Sequence, residues 1–391
     1  MTAILIHILF ACAALVPFIA FILYPLGARL LFRAESIRPQ PPTIGGDALP
    51  PVDIIISAYN EDDVLDARIE NLLSQDYPRE LLRIIIHTDG STDASDSIVS
   101  RYASRGVVHL KSNRNHGKTA ALNKALQAVT APILVYSDAN TTFSANAVRL
   151  LARHFTNPQT GCVCGRLVYS NPAKKTAAAE EIRYWNWDAR MKALEGRSGR
   201  LLGANGAIFA LRSTLAVPLP PGQSNDMVLP IIAILRGFRV EFEPAALACE
   251  PPARNLGQEF RRKRRIIARG LAGVFFSIRF AFMDPAARRV SLTRRLGVLL
   301  HLAAKKLCRY MAFPCLASIM LGGLLVPFTT LRLAAAALWM ILLSGLLSIP
   351  VRSFEPRLPD VSYFMMMGLA ACAGFLDFVL GRNVSRWQSQ R

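Results

Sequence analysis

Four short β-branched runs, Asp53–Ser57, Arg83–His87, Val107–Leu110 and Ile133–Ser137, alternate with helical patterns over Asp62–Gln75, Asp93–Ser104 and Lys118–Val129. In the first of these patterns Val64, Leu65, Ile69, Leu72 and Leu73 recur at the helical period. Strands that are apolar throughout, separated by helices, predict a parallel sheet covered on both faces. Ligands of such sheets bind beyond the carboxyl ends of the strands. The residues after each run therefore matter most.

All four runs end in polar turn formers. Ser57-Ala58-Tyr59-Asn60-Glu61 follows the first, and Thr88-Asp89-Gly90-Ser91-Thr92-Asp93 the second. Asn113-Arg114-Asn115-His116-Gly117-Lys118-Thr119 follows the third, and Asp138-Ala139-Asn140 the fourth. One such cluster is ordinary turn chemistry. Four at one rim describe a site for a polar ligand. Gly117-Lys118-Thr119 ends like a Walker A phosphate loop, but that motif needs glycine where the chain has Ser112. Asp138 and Asn140 could together hold a hard cation against diphosphate oxygens, although a bare Asp-x-Asn is common in loops. Farther on, Gly203-Ala204-Asn205-Gly206-Ala207 leads into a strand, Ile208–Leu211, and Asp226 stands where a helix opens. Asp226 could cap that helix or take a proton from an attacking hydroxyl. Spacing leaves both readings open.

The seven cysteines are scattered. Cys162 and Cys164 share one face of a strand, and no second pair or nearby His completes a zinc site. They are expected to pack in the core, in a reducing compartment.

A hydrophobic fraction of 52% with 19% charged residues excludes a disordered chain and argues against a wholly soluble one. Ala3–Ala28 has no Asp, Glu, Lys or Arg, and crossing a bilayer takes about 20 residues. Met1–Ile6 lacks the basic start of a cleaved signal peptide. Arg29, Arg33 and Arg38 follow, which places the N-terminus outside and the next domain in the cytoplasm. Three more apolar runs, Ala312–Thr329, Leu331–Pro350 and Ser362–Leu380, lie near the end, the last carrying one charge, Asp377, expected to reach the interface. Four spans would put the C-terminus outside, whereas Arg382, Arg386 and Arg391 argue for the inside. The net charge of +19 is concentrated: Phe260–Tyr310 carries 14 Lys and Arg against one acid, Asp284. An anionic lipid surface accounts for that segment. No nucleic-acid module accompanies it, so nucleic acid is not an expected partner. One or two arginines of the Arg261–Arg265 cluster could instead hold a diphosphate. The divisions expected are a transmembrane helix (1–33), a Pro/Gly linker (34–50), a catalytic domain (51–255), basic amphipathic helices at the membrane interface (256–310), three transmembrane helices (311–381) and a tail (382–391).

Taken together, these motifs resemble a membrane-bound family 2 glycosyltransferase of GT-A fold, in the subgroup of cellulose and poly-N-acetylglucosamine synthases. The likeness runs from about Val52 to Gly270 and extends to the arrangement of spans. It implies an α/β, Rossmann-like nucleotide-sugar domain with an N-terminal and several C-terminal transmembrane helices. It implies that Ala58, Tyr59 and Glu61 border the nucleotide, that Asp89 bonds the uracil, and that Lys118 lies nearby. Asp138 and Asn140 take the D-x-D positions that hold ribose, diphosphate and Mg2+ or Mn2+. Asn205 and Gly206 would meet the acceptor sugar, Asp226 would be the base, and Arg265 would contact the diphosphate. Asn140 replaces the second Asp of that pattern, and Arg262 and Ile266 replace the Gln and Trp of Q-x-x-R-W, which puts processivity in doubt. Glu180-Glu181, Tyr184-Trp185 and Trp187 either offer a sugar an aromatic surface or pack as an amphipathic helix.

The activity implied is inverting transfer of a hexose from a UDP-linked donor to a glycan or lipid acceptor. It would take place at the cytoplasmic face of the inner (plasma) membrane, for surface polysaccharide synthesis. Two alternatives are a single-sugar transfer to polyprenyl phosphate and an inactive scaffold of an export complex. Three C-terminal spans are few for a channel, so an export partner or a second copy would complete one.

Overall fold

The computed structural model describes residues 2–33, 49–169, 177–251, 256–325 and 359–382, with isolated positions between 332 and 340. Its strands are β1 (Val52–Ala58), β2 (Leu82–Asp89), β3 (Val107–Ser112), β4 (Ile133–Ser137), β5 (Thr142–Phe143), β6 (Thr160–Tyr169), β7 (Ile208–Arg212) and β8 (Arg239–Glu250). They form one sheet in the order β3-β2-β1-β4-β7-β6-β8-β5.

The first four strands are parallel, and the register pairs Ala58 with Thr88, Asp89 with Ser112 and Ile56 with Ser137. Their carboxyl ends therefore share one rim. The sheet as a whole is mixed, not parallel, because β7 runs antiparallel to both β4 and β6. The loop 203–207 delivers the chain to β7 at the rim, so β7 must run away from it.

Alternation along the strands feeds two apolar layers. Ile54, Ile56, Ile84 and Ile86 pack on one side with α3 (Asp62–Leu73), α4 (Ser95–Arg101) and α6 (Ala147–Ala152). Ile55, Ile85, Leu134 and Phe209 pack on the other with α5 (Lys118–Leu126) and α8 (Asn225–Leu235). Cys162 and Cys164 are buried and free in β6, as the spacing implied.

The N-terminal segment is α1 (Thr2–Phe18), a π-helical turn (Ile19–Leu23) and α2 (Tyr24–Arg33). Beyond it come α7 (Ala177–Ser198), α9 (Leu256–Met283), α10 (Pro285–Arg288), α11 (Leu292–Leu302), a second π-helical turn (Ala303–Leu307), α12 (Cys308–Leu325) and α13 (Pro359–Val379). Among the described residues two helices are long and apolar enough to cross a membrane, Ile8–Leu30 and Gly257–Met283. The first matches the expected N-terminal span. The second is α9, read from sequence as an interface helix; its apolar stretch lies beyond the arginine cluster. Of the expected C-terminal spans, parts of Ala312–Thr329 and Ser362–Leu380 fall on α12 and α13, and neither helix is among those two. The linker, most of Leu331–Pro350, most of the loop that follows it and nearly all of the tail lie outside the described residues.

Candidate active site at the carboxyl rim

The first two rim loops are laced together. Asn60 adopts a left-handed conformation (φ 52°). Its side-chain oxygen accepts from the Thr92 N–H at 2.8 Å, and its own N–H donates to Ser91 Oγ at 3.1 Å. The Glu61 N–H donates to Ser95 Oγ at 3.0 Å. Gly90 has φ +73°, and a Cβ there would lie 2.5 Å from the Arg114 carbonyl carbon. Only glycine lets the 113–117 loop close over β2. Asp89, fully buried, anchors that loop: its Oδ2 accepts from the His116 and Gly117 N–H groups at 2.9 and 2.7 Å. Its Oδ1 has no hydrogen-bond partner, with His116 Nδ1 lying 3.5 Å away.

Lys118 opens α5 and donates to Asp138 Oδ1, just past β4. A Cβ on Gly206 would lie 3.6 Å from Asp138 Oδ2 and 3.7 Å from Asp226 Oδ2. Carboxylates 88 positions apart in sequence thus flank one glycine. Asp226 is not the helix cap. The N-cap of α8 is Ser224, and Asp226 sits in the first turn, accepting from the Ser224 hydroxyl. A small cleft adjoins these groups, lined by Lys118, Tyr136, Gly206, Ser224, Asp226 and Arg269.

Two carboxyls at the rim are raised, chiefly by burial. Burial, followed by Asp63, Asp138 and Asp93, pushes the Glu61 carboxyl up to about 7. Burial and then Asp138 push Glu250 up to about 7, against the Thr141 hydroxyl bond at 2.7 Å. Behind them Arg68 is buried, donates to Ser137 Oγ at 2.6 Å and lies over the Phe143 ring; burial lowers it to about 9. Arg265 lies on α9, four residues before Arg269.

Of the residues singled out from sequence, Lys118, Asp138, Gly206 and Asp226 are brought together, and the Asn205 side chain is not. The Asn205 side chain turns into the body of the protein, accepting from Lys192 and donating to the Gly165 carbonyl at 2.8 Å. Only Gly206, next to it, lines the cleft. Ala58 is buried at the end of β1 and Tyr59 half-buried beyond it. Arg262 is paired with Glu259 at 2.7 Å and Ile266 is 41% exposed. Glu180, Glu181, Tyr184, Trp185 and Trp187 lie on α7, but their side chains fall outside those described. Sequence reasoning missed Arg269, Arg68 and Glu250. Arg269 was legible as the residue one turn beyond Arg265; the other two carried no local signal.

A divalent cation fits the donors present. Among the described residues no group of three or more His, Cys, Asp or Glu is placed to hold one alone. Asp138 with the Asn140 amide is instead the sparse set of a cation that takes its other ligands from phosphates and water. Asp138, which adds to the rise of Glu61 and Glu250 after burial, is the charge such an ion would neutralise.

Residues 53–213 match the model of a family described as Glycosyl transferase family 2. An N-acetylglucosaminyltransferase from Rhizobium sp. (strain N33) is 27% identical over 256 residues, 59% of this chain and 57% of that protein. A poly-beta-1,6-N-acetyl-D-glucosamine synthase from Staphylococcus aureus (strain MSSA476) is 25% identical over 231 residues, 57% of this chain and 55% of that one. The chain thus spans a little over half the length of these curated relatives. Among solved structures, a mannosyltransferase from Pyrobaculum calidifontis in complex with GDP-Man and Mn2+ superposes with a TM-score of 0.63. It is 20% identical, over 96% of this chain and 99% of that one, a likeness that bears on the fold alone.

Proposed function

We propose, from the match of residues 53–213 to glycosyl transferase family 2, that the protein transfers a hexose, with inversion, from a UDP-linked donor to a glycan or lipid acceptor. The observation that carries this reading is the meeting of Asp138 and Asp226 across Gly206. One carboxylate belongs to the expected donor motif, and the other, which lines the adjoining cleft, to the expected base.

Each residue then has a task. Asp89 Oδ1, which has no hydrogen-bond partner, is an acceptor for a base N–H such as that of uracil. Ala58, Tyr59 and Glu61 border the nucleotide. Asp138 and Asn140 hold Mg2+ or Mn2+, which when bound neutralises charge on the diphosphate. Lys118, Arg265 and Arg269 present cations to the same oxygens, where the leaving group's charge develops. Asp226 takes the proton of the acceptor hydroxyl, which attacks the anomeric carbon on the face opposite the diphosphate. Ser224 donates to that carboxylate and fixes its orientation. Gly206 leaves room for the acceptor between the two carboxylates.

Two apolar helices, Ile8–Leu30 and Gly257–Met283, support the further reading that this chemistry takes place at the cytoplasmic face of the plasma membrane in a multi-pass protein. One observation favours the second reading, single transfer to a polyprenyl phosphate: the position expected to hold an acceptor-binding Trp is Ile266, 41% exposed. Membranes containing the full chain, given radiolabelled UDP-sugars one at a time, test both. Polymer supports chain synthesis and lipid-linked monosaccharide supports the second reading. No UDP release from any sugar, or full release in excess chelator, overturns the donor chemistry or the cation respectively.

A further inference from the structure

Helix α9 has two faces with different duties. Arg262, Arg265 and Arg269 share one face at the helical period. Arg269 closes the loop before Asp226, donating to the Gly222 carbonyl at 3.1 Å, to the Gln223 carbonyl and to Thr119 Oγ1 at 3.2 Å. Arg264, Ile267 and Phe275 lie on the opposite face, against α13. Arg264 Nε and a terminal nitrogen reach the two oxygens of Asp377 at 2.5 and 2.7 Å. Asp377 is 3% exposed, and its second cation, Arg382, stands 3.8 Å away. Gly374, one turn before, lets the backbones touch: a Cβ there would meet the Arg264 carbonyl oxygen at 2.6 Å and Ile267 Cβ at 3.0 Å. The Phe275 and Phe378 rings stack with centroids 5.4 Å apart.

The sequence offered Asp377 only a place at the membrane interface. We propose that Asp377 is a positioning residue for the donor site, fixing the rotation and height of α9 so that Arg265 and Arg269 face the diphosphate. The argument is geometric. A bidentate guanidinium–carboxylate pair fixes orientation as well as distance. The glycine contact removes the slack that side chains would allow. A helix held so tightly on one side cannot turn without carrying the arginines of the other side away from the cleft. The apolar helix nearest the C-terminus is thereby coupled to donor binding, although it contributes no atom to the cleft. This rests on the reading of Arg265 given above.

The test uses the full chain in nanodiscs and measures UDP binding in the presence of Mn2+, together with KM and kcat for a UDP-sugar found active in the panel. Asp377→Asn should weaken UDP binding and raise donor KM on the order of tenfold, short of the ~10²-fold that a full 1 Å misplacement can cost. Its kcat should change less than its KM. Asp377→Glu should recover most of the affinity. The exchanged pair Arg264→Asp with Asp377→Arg should bind UDP better than either single variant, which a loss of folding alone would not produce. Arg265→Gln is run in parallel. If it weakens UDP binding while Asp377→Asn and Arg264→Met do not, the positioning role is wrong. If Arg265→Gln itself has no effect, the diphosphate assignment fails instead.

Discussion

Two polar regions lie within the same fold and behave in opposite ways. At the rim, Glu61 and Glu250 are pushed up to about 7, and Asp89 keeps an oxygen without a hydrogen-bond partner. On the inner face of α7, Glu195 is fully buried yet its carboxyl is held below the usual range, against its burial, by Lys305 first and then His301. Lys305 donates to Glu195 at 2.5 Å and to the Leu202 carbonyl at 3.1 Å. Glu195 also accepts from the Leu202 N–H at 3.2 Å and from the Tyr24 hydroxyl at 2.5 Å. Two turns earlier, Asp188 pairs with Lys192 at 2.9 Å, and Lys192 donates to Asn205. Burial raises a carboxyl unless counter-charges outweigh it. The α7 region has its counter-charges and fixes the loop 201–207. The rim lacks some of them, and so has room for a cation and a diphosphate.

The largest effect that could break this contrast is catalytic. Asp226→Asn keeps the shape of the rim but removes the base. Sugar transfer should fall about 10²–10⁴-fold, while UDP binding, which rests on other groups, stays near the wild-type value. Near-normal transfer by this variant would remove Asp226 from the mechanism.

Stability gives the next largest effect. Removing one partner of a buried pair leaves the other charge uncompensated, at a cost of about 3–5 kcal/mol. Glu195→Gln should therefore lower the thermal midpoint sharply, and Glu195→Leu combined with Lys305→Met should restore much of it. Glu250→Gln at the rim, by contrast, should leave the midpoint at pH 8 unchanged or raise it. Equal losses from Glu195→Gln and Glu250→Gln would mean that the two regions do not differ.

Much of the rim was legible because each of its loops is local. The β-branched runs end where the strands end, and Asp89, Lys118 and Asp138 follow within a few residues. The α7 region was not legible. Tyr24 and Glu195 are separated by 171 positions, and nothing in either neighbourhood announces the other. The partner of Asp377 was hidden for the same reason, Arg264 being 113 positions away. Asp226 shows a finer limit. A carboxylate at a helix start reads as a cap until the structure shows Ser224 in that position and the carboxylate turned to the cleft.

A smaller effect sharpens the contrast through pH. A carboxyl whose folded pKa exceeds its unfolded value holds its proton more tightly when folded. Stability without nucleotide should thus rise as pH falls from about 7 toward the ordinary glutamate value of 4.5 for Glu61 and Glu250, the cost being full above that window. A cation needs the ionised forms. Binding of UDP with Mn2+ should then release protons and weaken below pH 7, whereas Glu195, already ionised, contributes nothing there. Calorimetric titration in buffers of different ionisation heat measures the protons released, and a value of zero at pH 7 would contradict the assignment.

The smallest effect comes from adding a charge where the rim already has too many. Asn140→Asp completes the D-x-D pair that the family resemblance leads one to expect. Without cation, a further carboxylate near Asp138 has no partner to receive it. It should destabilise the protein by ~1 kcal/mol, the equivalent of about one unit of further rise in a neighbouring carboxyl. With Mn2+ and UDP present the same charge becomes a ligand, and the concentration of Mn2+ needed for half-maximal transfer should fall several-fold. The two signs must go together, because one negative charge is unfavourable alone and favourable beside a cation. If Asn140→Asp lowered stability without lowering the Mn2+ requirement, position 140 would lie in the acidic field of the rim but outside the reach of the ion. Asp138 would then have to hold the cation with Glu61 or Glu250 in place of Asn140.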